Sequence, residues 1–257
     1  MRFRLLDVDY PDDPHKNLAM DEAIFLEVMN GHSPPTFRFY RNSNAVIIGC
    51  FQLADEEIDI DYAVHNDIKI AKRFTGGGAV YHDMGDLNYS IISKDSFDIG
   101  MNVERLFSTM IKGAVTSFKG LGIDAVSGGL NDVSVNNRKI LGSAATIRSD
   151  TILFHAAILV NADLNRMASV LKVPGVKLKD KGVSSILDRV ANVYDISGKD
   201  VKKVRDAILE GYSKELGFEY DVDELTDREE RLIKRLHKEK YLNPDWNLGR
   251  EFISIGY

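Results

Sequence analysis

Short apolar runs alternate along this chain with stretches whose apolar residues recur at helical spacing. Phe3–Val8 reads as a short strand. The spacing of Ala19, Ala23 and Leu26 predicts a helix over 18–29, with Gly31 placed to end it. Phe37–Tyr40 and Ala45–Ile48 read as paired strands around the turn residues Asn42-Ser-Asn44. Ile68–Arg73, Ala79–His82 and Leu87–Ile92 predict three more strands joined by glycine-rich turns. Phe107, Met110, Ile111, Ala114 and Phe118 give a second helix ending at Gly120. Val133–Val135, Lys139–Ile147 and Ile152–Val160 read as strands, and Val204, Ile208 and Tyr212 mark a helix over 201–216. Thr226 and Glu229 have the spacing of a capping box, which opens a fourth helix. Regular strand–helix–strand alternation is missing. The pattern predicts an α+β fold with mixed, largely antiparallel sheets flanked by helices. Val173–Ser185, with Pro174 and three lysines, reads as a loop.

Composition narrows the function classes. The chain has 257 residues, of which 44% are hydrophobic, enough for one substantial core; no linker or repeat divides it. The net charge of −6 argues against nucleic-acid or anionic-membrane binding. Cys50 is the one cysteine, so an intrachain disulfide or a cysteine-based metal cluster is excluded. No run approaches the roughly 20 apolar residues of a membrane span, and the N-terminus lacks the apolar core of a signal peptide. A cytoplasmic protein is expected.

The chemistry gathers around Arg73-Phe-Thr-Gly-Gly-Gly-Ala-Val-Tyr-His-Asp83. Glycines 76–78 let the backbone turn sharply and approach a ligand closely. Arg73 could hold a carboxylate or phosphate through its fork of donors. Three glycines alone are equally compatible with a plain β-turn. No Gly-Lys-Ser/Thr follows, so this is not a Walker loop, and the spacing does not match a dinucleotide fingerprint.

The wider string resembles the signature of lipoate–protein ligases. It reads Arg-x-x-Gly-Gly-Gly-Ala-Val-Tyr-His-Asp-x-Gly, with Asn88 beyond it. Further segments match that family in order: Asn17-Leu-Ala-Met-Asp-Glu-Ala23, Phe37-Arg-Phe-Tyr40, and Ala45–Gly49 with Gln52. Asn131-Asp-Val133, Lys139–Ala144, Phe154-His-Ala-Ala157, Arg189–Asn192 and Lys240-Tyr241 with Trp246-Asn-x-Gly249 follow. The resemblance covers nearly the whole chain. It implies ATP and Mg²⁺ as cofactors and lipoate as substrate.

The same resemblance assigns roles. Lys139, by default a solvated lysine, becomes the residue that contacts the acyl-adenylate and stabilises charge during catalysis. Arg73, Gly76, Gly77, Gly78, Ala79, Val80, Tyr81 and Gly142 join it as the expected ATP and lipoyl-adenylate site. The small residues after Lys139 leave room for a ligand. His82 and His155 line the expected lipoyl pocket, although a lone histidine near a strand is usually structural. Asp132, in what would otherwise be a turn, is the expected Mg²⁺ ligand, since magnesium takes few protein carboxylates and fills its shell with phosphate and water. Lys177–Ser185 corresponds to the family's adenylate-covering loop. Cys50 reads as inert, because nothing nearby in sequence lowers its pKa.

The implied reaction activates lipoate as lipoyl-AMP and transfers the lipoyl group to a lysine of an acceptor domain, in 2-oxoacid dehydrogenase E2 or glycine cleavage H protein. Two departures stand out. Asp86 occupies a position where the family usually has asparagine. The chain also stops soon after Gly249, where many such ligases continue into a small accessory domain; a separate accessory subunit is therefore expected. The competing readings are an ATP-independent octanoyl- or lipoyl-transferase of the same superfamily, a biotin–protein ligase (whose Gly-Arg-Gly-Arg-x-Gly-Arg loop is absent) and a non-catalytic lipoate-binding protein.

Overall fold

A computed structural model describes residues 1–94, 97–172 and 184–249. An eight-stranded sheet runs in the order β11-β1-β2-β6-β10-β9-β8-β7. Its strands are β1 (Arg2–Leu6), β2 (Thr36–Tyr40), β6 (Asp86–Lys94), β7 (Val126–Ser127), β8 (Asp132–Val135), β9 (Arg138–Arg148), β10 (Thr151–Leu159) and β11 (Glu219–Val222). A three-stranded sheet has the order β4-β3-β5, from β3 (Asn44–Ile48), β4 (Lys69–Lys72) and β5 (Val80–Asp83). Among the named strands, parallel pairing is confined to β11–β1–β2 and β3–β4.

The expected β2–β3 hairpin is not formed. β2 pairs with β1 and β6 in the large sheet, whereas β3 pairs with β4 and β5 in the small one. Apolar runs identify strands but carry no partner information, and here residues 41–43 step from one sheet to the other.

The helices include α1 (Pro14–Met29), α2 (Ala54–Glu57), α3 (Ile60–His65), α4 (Val103–Gly120), α5 (Leu164–Val170) and α6 (Val193–Ser197). They continue with α7 (Val201–Leu216), α8 (Asp227–Leu236), a π-helical turn over His237–Tyr241 and α9 (Pro244–Leu248). One face of the large sheet, with Phe37, Phe39, Tyr89 and Phe154, packs on α4 and α7. Its other face packs on α1 and the small sheet. The small sheet's outer face is covered by α2, α3 and α5. The large sheet is thus buried on both sides, which is why β2 and β6 are buried along nearly their whole length. Thr226 and Glu229 form the expected capping box on α8.

The C-terminal segment clasps the end of β4. Trp246 Nε1 donates to Lys72 O at 2.8 Å, and Lys72 N donates to Asn247 Oδ1 at 3.0 Å. Lys240 pairs with Glu22 on α1 at 2.8 Å, both buried, and the Tyr241 hydroxyl donates to the same carboxylate at 2.7 Å. These contacts fix Lys72, the residue before the glycine loop. Among the described residues no helix is long and apolar enough to cross a membrane.

Candidate active site

A cleft of about 90 Å³ opens between the two sheets. One wall is the glycine loop with β3 and β5; the other is formed by β6, β9 and β10. Topology dictates the loop's course. β4 and β5 flank β3, so the connection 73–79 must cross the end of β3. It crosses in contact: a Cβ on Gly49 would lie 2.2 Å from Gly77 O. Gly77 itself has φ 93°, a conformation that favours glycine.

Arg73 holds this loop from inside. Its Nη2 donates to Gly76 O at 2.7 Å and Gly78 O at 2.8 Å, and its Nη1 donates to Ile47 O at 3.2 Å. The fork is therefore occupied by backbone carbonyls rather than open to a carboxylate or phosphate. Burial lowers its pKa to about 10, so it remains a cation at neutral pH and lends positive potential to the cleft.

Both histidines lie in the cleft. His82 is buried; its Nδ1 lies 3.0 Å from Asn42 Nδ2, while its Nε2 has no hydrogen-bond partner. Desolvation, with help from Arg73 and His155, pushes its pKa down to about 3. His155 Nε2 lies 2.7 Å from the Thr75 hydroxyl, tying β10 to the glycine loop, and its Nδ1 faces Asp21 Oδ2 at 3.6 Å. Burial also lowers the His155 pKa, although Asp21 opposes the shift. Burial raises the Asp21 pKa, but Arg38 at 2.6 Å and His155 outweigh it, and the net shift is downward.

The second wall carries an ion pair. Lys139 Nζ stands 2.9 Å from Asp132 Oδ1, an ion-pair contact lacking hydrogen-bond alignment, with side chains 38% and 25% exposed. A β-bulge between Val133 and Ser134 shifts the register so that Ser134 faces Lys139 and Asp132 faces Gly142. Gly142 leaves space for the lysine itself, since a Cβ there would meet its Nζ at 2.6 Å. The Lys139 backbone is pinned through its N to Arg189 O at 2.7 Å and through its O to Ala191 N at 3.0 Å. Ser143 and Asn131 exchange hydrogen bonds that hold the turn before Asp132.

Of the expected site residues, Arg73, Gly78, Ala79 and Val80 line the cleft, as do His82, Lys139, Gly142 and His155. Gly76 and Gly77 shape the loop without lining the cleft. Tyr81 points to the other face of its strand, where its hydroxyl donates to Asn44 Oδ1 at 3.1 Å. Asp132 reaches the site through Lys139. Among the described residues no group of three or more His, Cys, Asp or Glu could hold a metal ion. Cys50 is half-buried, and burial pushes its thiol upward despite Arg73 and Lys240 nearby. The segment 177–183, most of the expected covering loop, lies outside the described residues.

Sequence reasoning gave no role to the polar face of β6. Asp86, Asn88 and Ser90 alternate with apolar residues as on a solvent-facing strand, yet all three are buried. Asn88 lines the cleft, and neither atom of its carboxamide has a partner.

The family model of the lipoyl protein ligase A/B catalytic domain matches residues 13–213. The chain belongs to that family. It is 43% identical to lipoate-protein ligase A subunit 1 of Thermoplasma acidophilum, over 97% of both chains. A chain solved in a study of the bi-partite lipoate protein ligase and E2 lipoyl domain of that organism superposes with a TM-score of 0.92 at 41% identity, covering 100% of both. A lipoate-protein ligase A crystallised with ATP gives a TM-score of 0.89 at 39% identity, covering 98% of this chain and 100% of its own. Membership in the lipoyl ligase family accounts for the order of the motifs. The Asn131-Asp-Val133 and Arg189–Asn192 segments both meet Lys139, the first at its ammonium through Asp132 and the second at its backbone.

Proposed function

We propose that this chain is the catalytic subunit of a lipoate–protein ligase. It forms lipoyl-AMP from lipoate and ATP and transfers the lipoyl group to a lysine of an acceptor domain such as an E2 lipoyl domain, with a separate accessory subunit. The observation that carries this reading is a narrow cleft with a partly exposed Lys139–Asp132 pair on one wall. That arrangement suits an acyl chain held inside and a carboxylate presented to a nucleotide and then to a protein amine.

A carboxylate is a poor electrophile. Its oxygen attacks the α-phosphorus of ATP, and pyrophosphate leaves. The acceptor amine then attacks the carbonyl of the mixed anhydride; AMP departs and the amine proton is lost. Lys139 stabilises the oxyanion charge that develops in both steps. Backbone groups of Gly78–Val80 face the adenylate, and the Arg73 cation supports them from beneath. Asp132 suits Mg²⁺: it is one hard carboxylate at the cleft mouth, and magnesium completes its shell with phosphate oxygens and water. The ion would neutralise phosphate charge there. Residues 1–257 read as one catalytic domain.

The test incubates the purified chain with lipoate, ATP, Mg²⁺ and an acceptor domain, with and without the small accessory subunit. The expected result is pyrophosphate release and a lipoyl mass shift on the acceptor that need ATP and the subunit. Modification without ATP from an acyl carrier overturns the ligase reading in favour of a transferase. Full activity of the chain alone removes the accessory subunit from it.

A further inference from the structure

The Arg189–Asn192 segment lines no part of the cleft, and its arginine is exposed. What it touches is the backbone of Lys139. β10 pairs with β9 only as far as Ile158 opposite Leu141. Beyond that point β10 stays with β6: Leu159 faces Asp86, and Asn161 N donates to Gly85 O at 2.8 Å. Lys139 lies outside the last β9–β10 pair. With β8 alone, where it faces Ser134, it would sit near the end of a two-stranded hairpin, a unit of marginal stability in water.

Residues 189–192 form a strap that fills the place β10 leaves. Val190 stands opposite Lys139 in a parallel bridge. Lys139 N donates to Arg189 O at 2.7 Å, and Ala191 N donates to Lys139 O at 3.0 Å, so both backbone polar groups of the lysine are paired with the strap. One side chain anchors the strap in turn. Asn192 is buried; its Oδ1 accepts from Ala162 N at 2.9 Å and its Nδ2 donates to Ala162 O at 3.0 Å. A backbone N–H only donates and a backbone carbonyl only accepts. The pair therefore needs an acceptor and a donor on one short side chain, which a carboxamide has and an ionised carboxylate lacks. Ala191 and Val193, on either side, are buried in the core on the α4 and α7 face.

Resting on the ligase reading above, we propose that Asn192 is a positioning residue for the adenylation step. Its carboxamide fixes the strap to the end of β10, and the strap holds the Lys139 backbone where the ammonium can meet the reacting carboxylate and phosphate. Asn192 touches neither substrate and acts through Lys139 alone. Small displacements of a catalytic group cost rate steeply, so the anchor matters to the reaction beyond its contribution to folding.

The test follows pyrophosphate release by the chain with its accessory subunit, in the presence of lipoate, ATP and Mg²⁺. Asn192→Ala should lower the maximal rate by about 10-fold to 100-fold, with the half-saturating concentrations of lipoate and ATP within about two-fold of the parent's. Asn192→Asp, which keeps the acceptor and loses the donor, should fall between. The deciding measurement is a double-mutant cycle: in a Lys139→Ala background, Asn192→Ala should cause no further loss, because the group it positions is gone. A general structural role predicts that the two losses add. Backbone hydrogen exchange gives a readout that needs no activity. The Lys139 amide should exchange at least about 10-fold faster in Asn192→Ala, while the amides between β6 and β10 keep the parent's rates. If Asn192→Ala does not fold, Asn192→Asp carries the same cycle and the same exchange measurement. Additive losses, a defect confined to the half-saturating concentrations, or unchanged exchange at Lys139 would each overturn the role of Asn192 while leaving the ligase reading intact. No pyrophosphate release by the parent with its subunit would remove the ligase reading, and this role with it.

Discussion

The two walls of the cleft are built by opposite means. The glycine-loop wall is buried and tied down on several sides: Arg73 donates to the carbonyls of Ile47, Gly76 and Gly78, Thr75 meets His155 of the facing wall's β10, and the C-terminal clasp holds Lys72. On the β8–β9 wall, Asp132 and Lys139 pair with each other across a bulge and remain partly exposed. On the proposed function, the difference follows from what each must do. A wall that recognises a fixed acyl chain gains from being set before the ligand arrives. A lysine that meets a nucleotide and then a protein acceptor must stay accessible. Its ion pair with Asp132 keeps the ammonium in place without closing the mouth, and at this exposure such a pair contributes little to stability.

The largest expected effect breaks the reactive wall alone. Lys139→Ala should lower the rate of lipoyl-AMP formation by about 10²–10³-fold, the usual loss when a preorganised group facing developing charge is removed. Its melting temperature should match the parent's, and lipoate binding should persist. Wild-type adenylation by this variant, measured by pyrophosphate release, would strip Lys139 of its role. A large fall in melting temperature would show that the pair is structural.

Gly49→Ala attacks the other wall. The added methyl would stand 2.2 Å from a backbone carbonyl, so the loop must move. The expected cost is about 1–3 kcal/mol in denaturant unfolding, typical of overpacking, together with weaker lipoate binding. Unchanged stability and binding would mean that the loop is not seated on β3 as described. The two substitutions should separate cleanly, one affecting rate and the other affecting stability and binding.

How much of this was legible in the sequence differs between the walls for a physical reason. Strands and long helices carry their own period, so α4, α7 and most strands could be read from spacing. Pairing between strands is not local, and the β2–β3 hairpin expected across Asn42-Ser-Asn44 was lost to two separate sheets. The resemblance picked out Lys139 and Asp132, but their contact depends on a bulge at Val133–Ser134 that no spacing announces. Arg73 was legible as part of the site, whereas its engagement with carbonyls was not, since a fork of donors suits a ligand and a loop equally well. Asn88 stood in the motif without a role, because a polar residue on an alternating strand looks solvated until both faces of the sheet are known to be covered.

Asp86 gives the smallest predicted effect and concerns the turn that joins β5 of the loop wall to β6 of the facing one. It begins β6 where the family resemblance leads one to expect asparagine. It is fully buried; Oδ2 accepts from Asp83 N at 3.0 Å, and Oδ1 has no partner. Desolvation, reinforced by the Asp83 charge, raises its pKa well above the usual carboxylate range. A neutral carboxylic acid pairs a carbonyl acceptor with an O–H donor, where an asparagine amide pairs a carbonyl acceptor with an NH₂ donor group, so the departure is chemically small. The raised pKa fixes the sign of a pH effect. The folded state keeps a proton that the unfolded chain releases near pH 3.9. Stability from this group is complete below that value and is lost as pH rises toward the folded pKa. Asp86→Asn should remove that slope. The variant should be more stable than the parent by about 1 kcal/mol at neutral pH, with the gap closing toward pH 4. Urea unfolding of both proteins at several pH values measures the difference directly, since other carboxylates cancel between them. A gap that does not change with pH would show that Asp86 is ionised in the folded protein, and the start of β6 would then hold a buried negative charge.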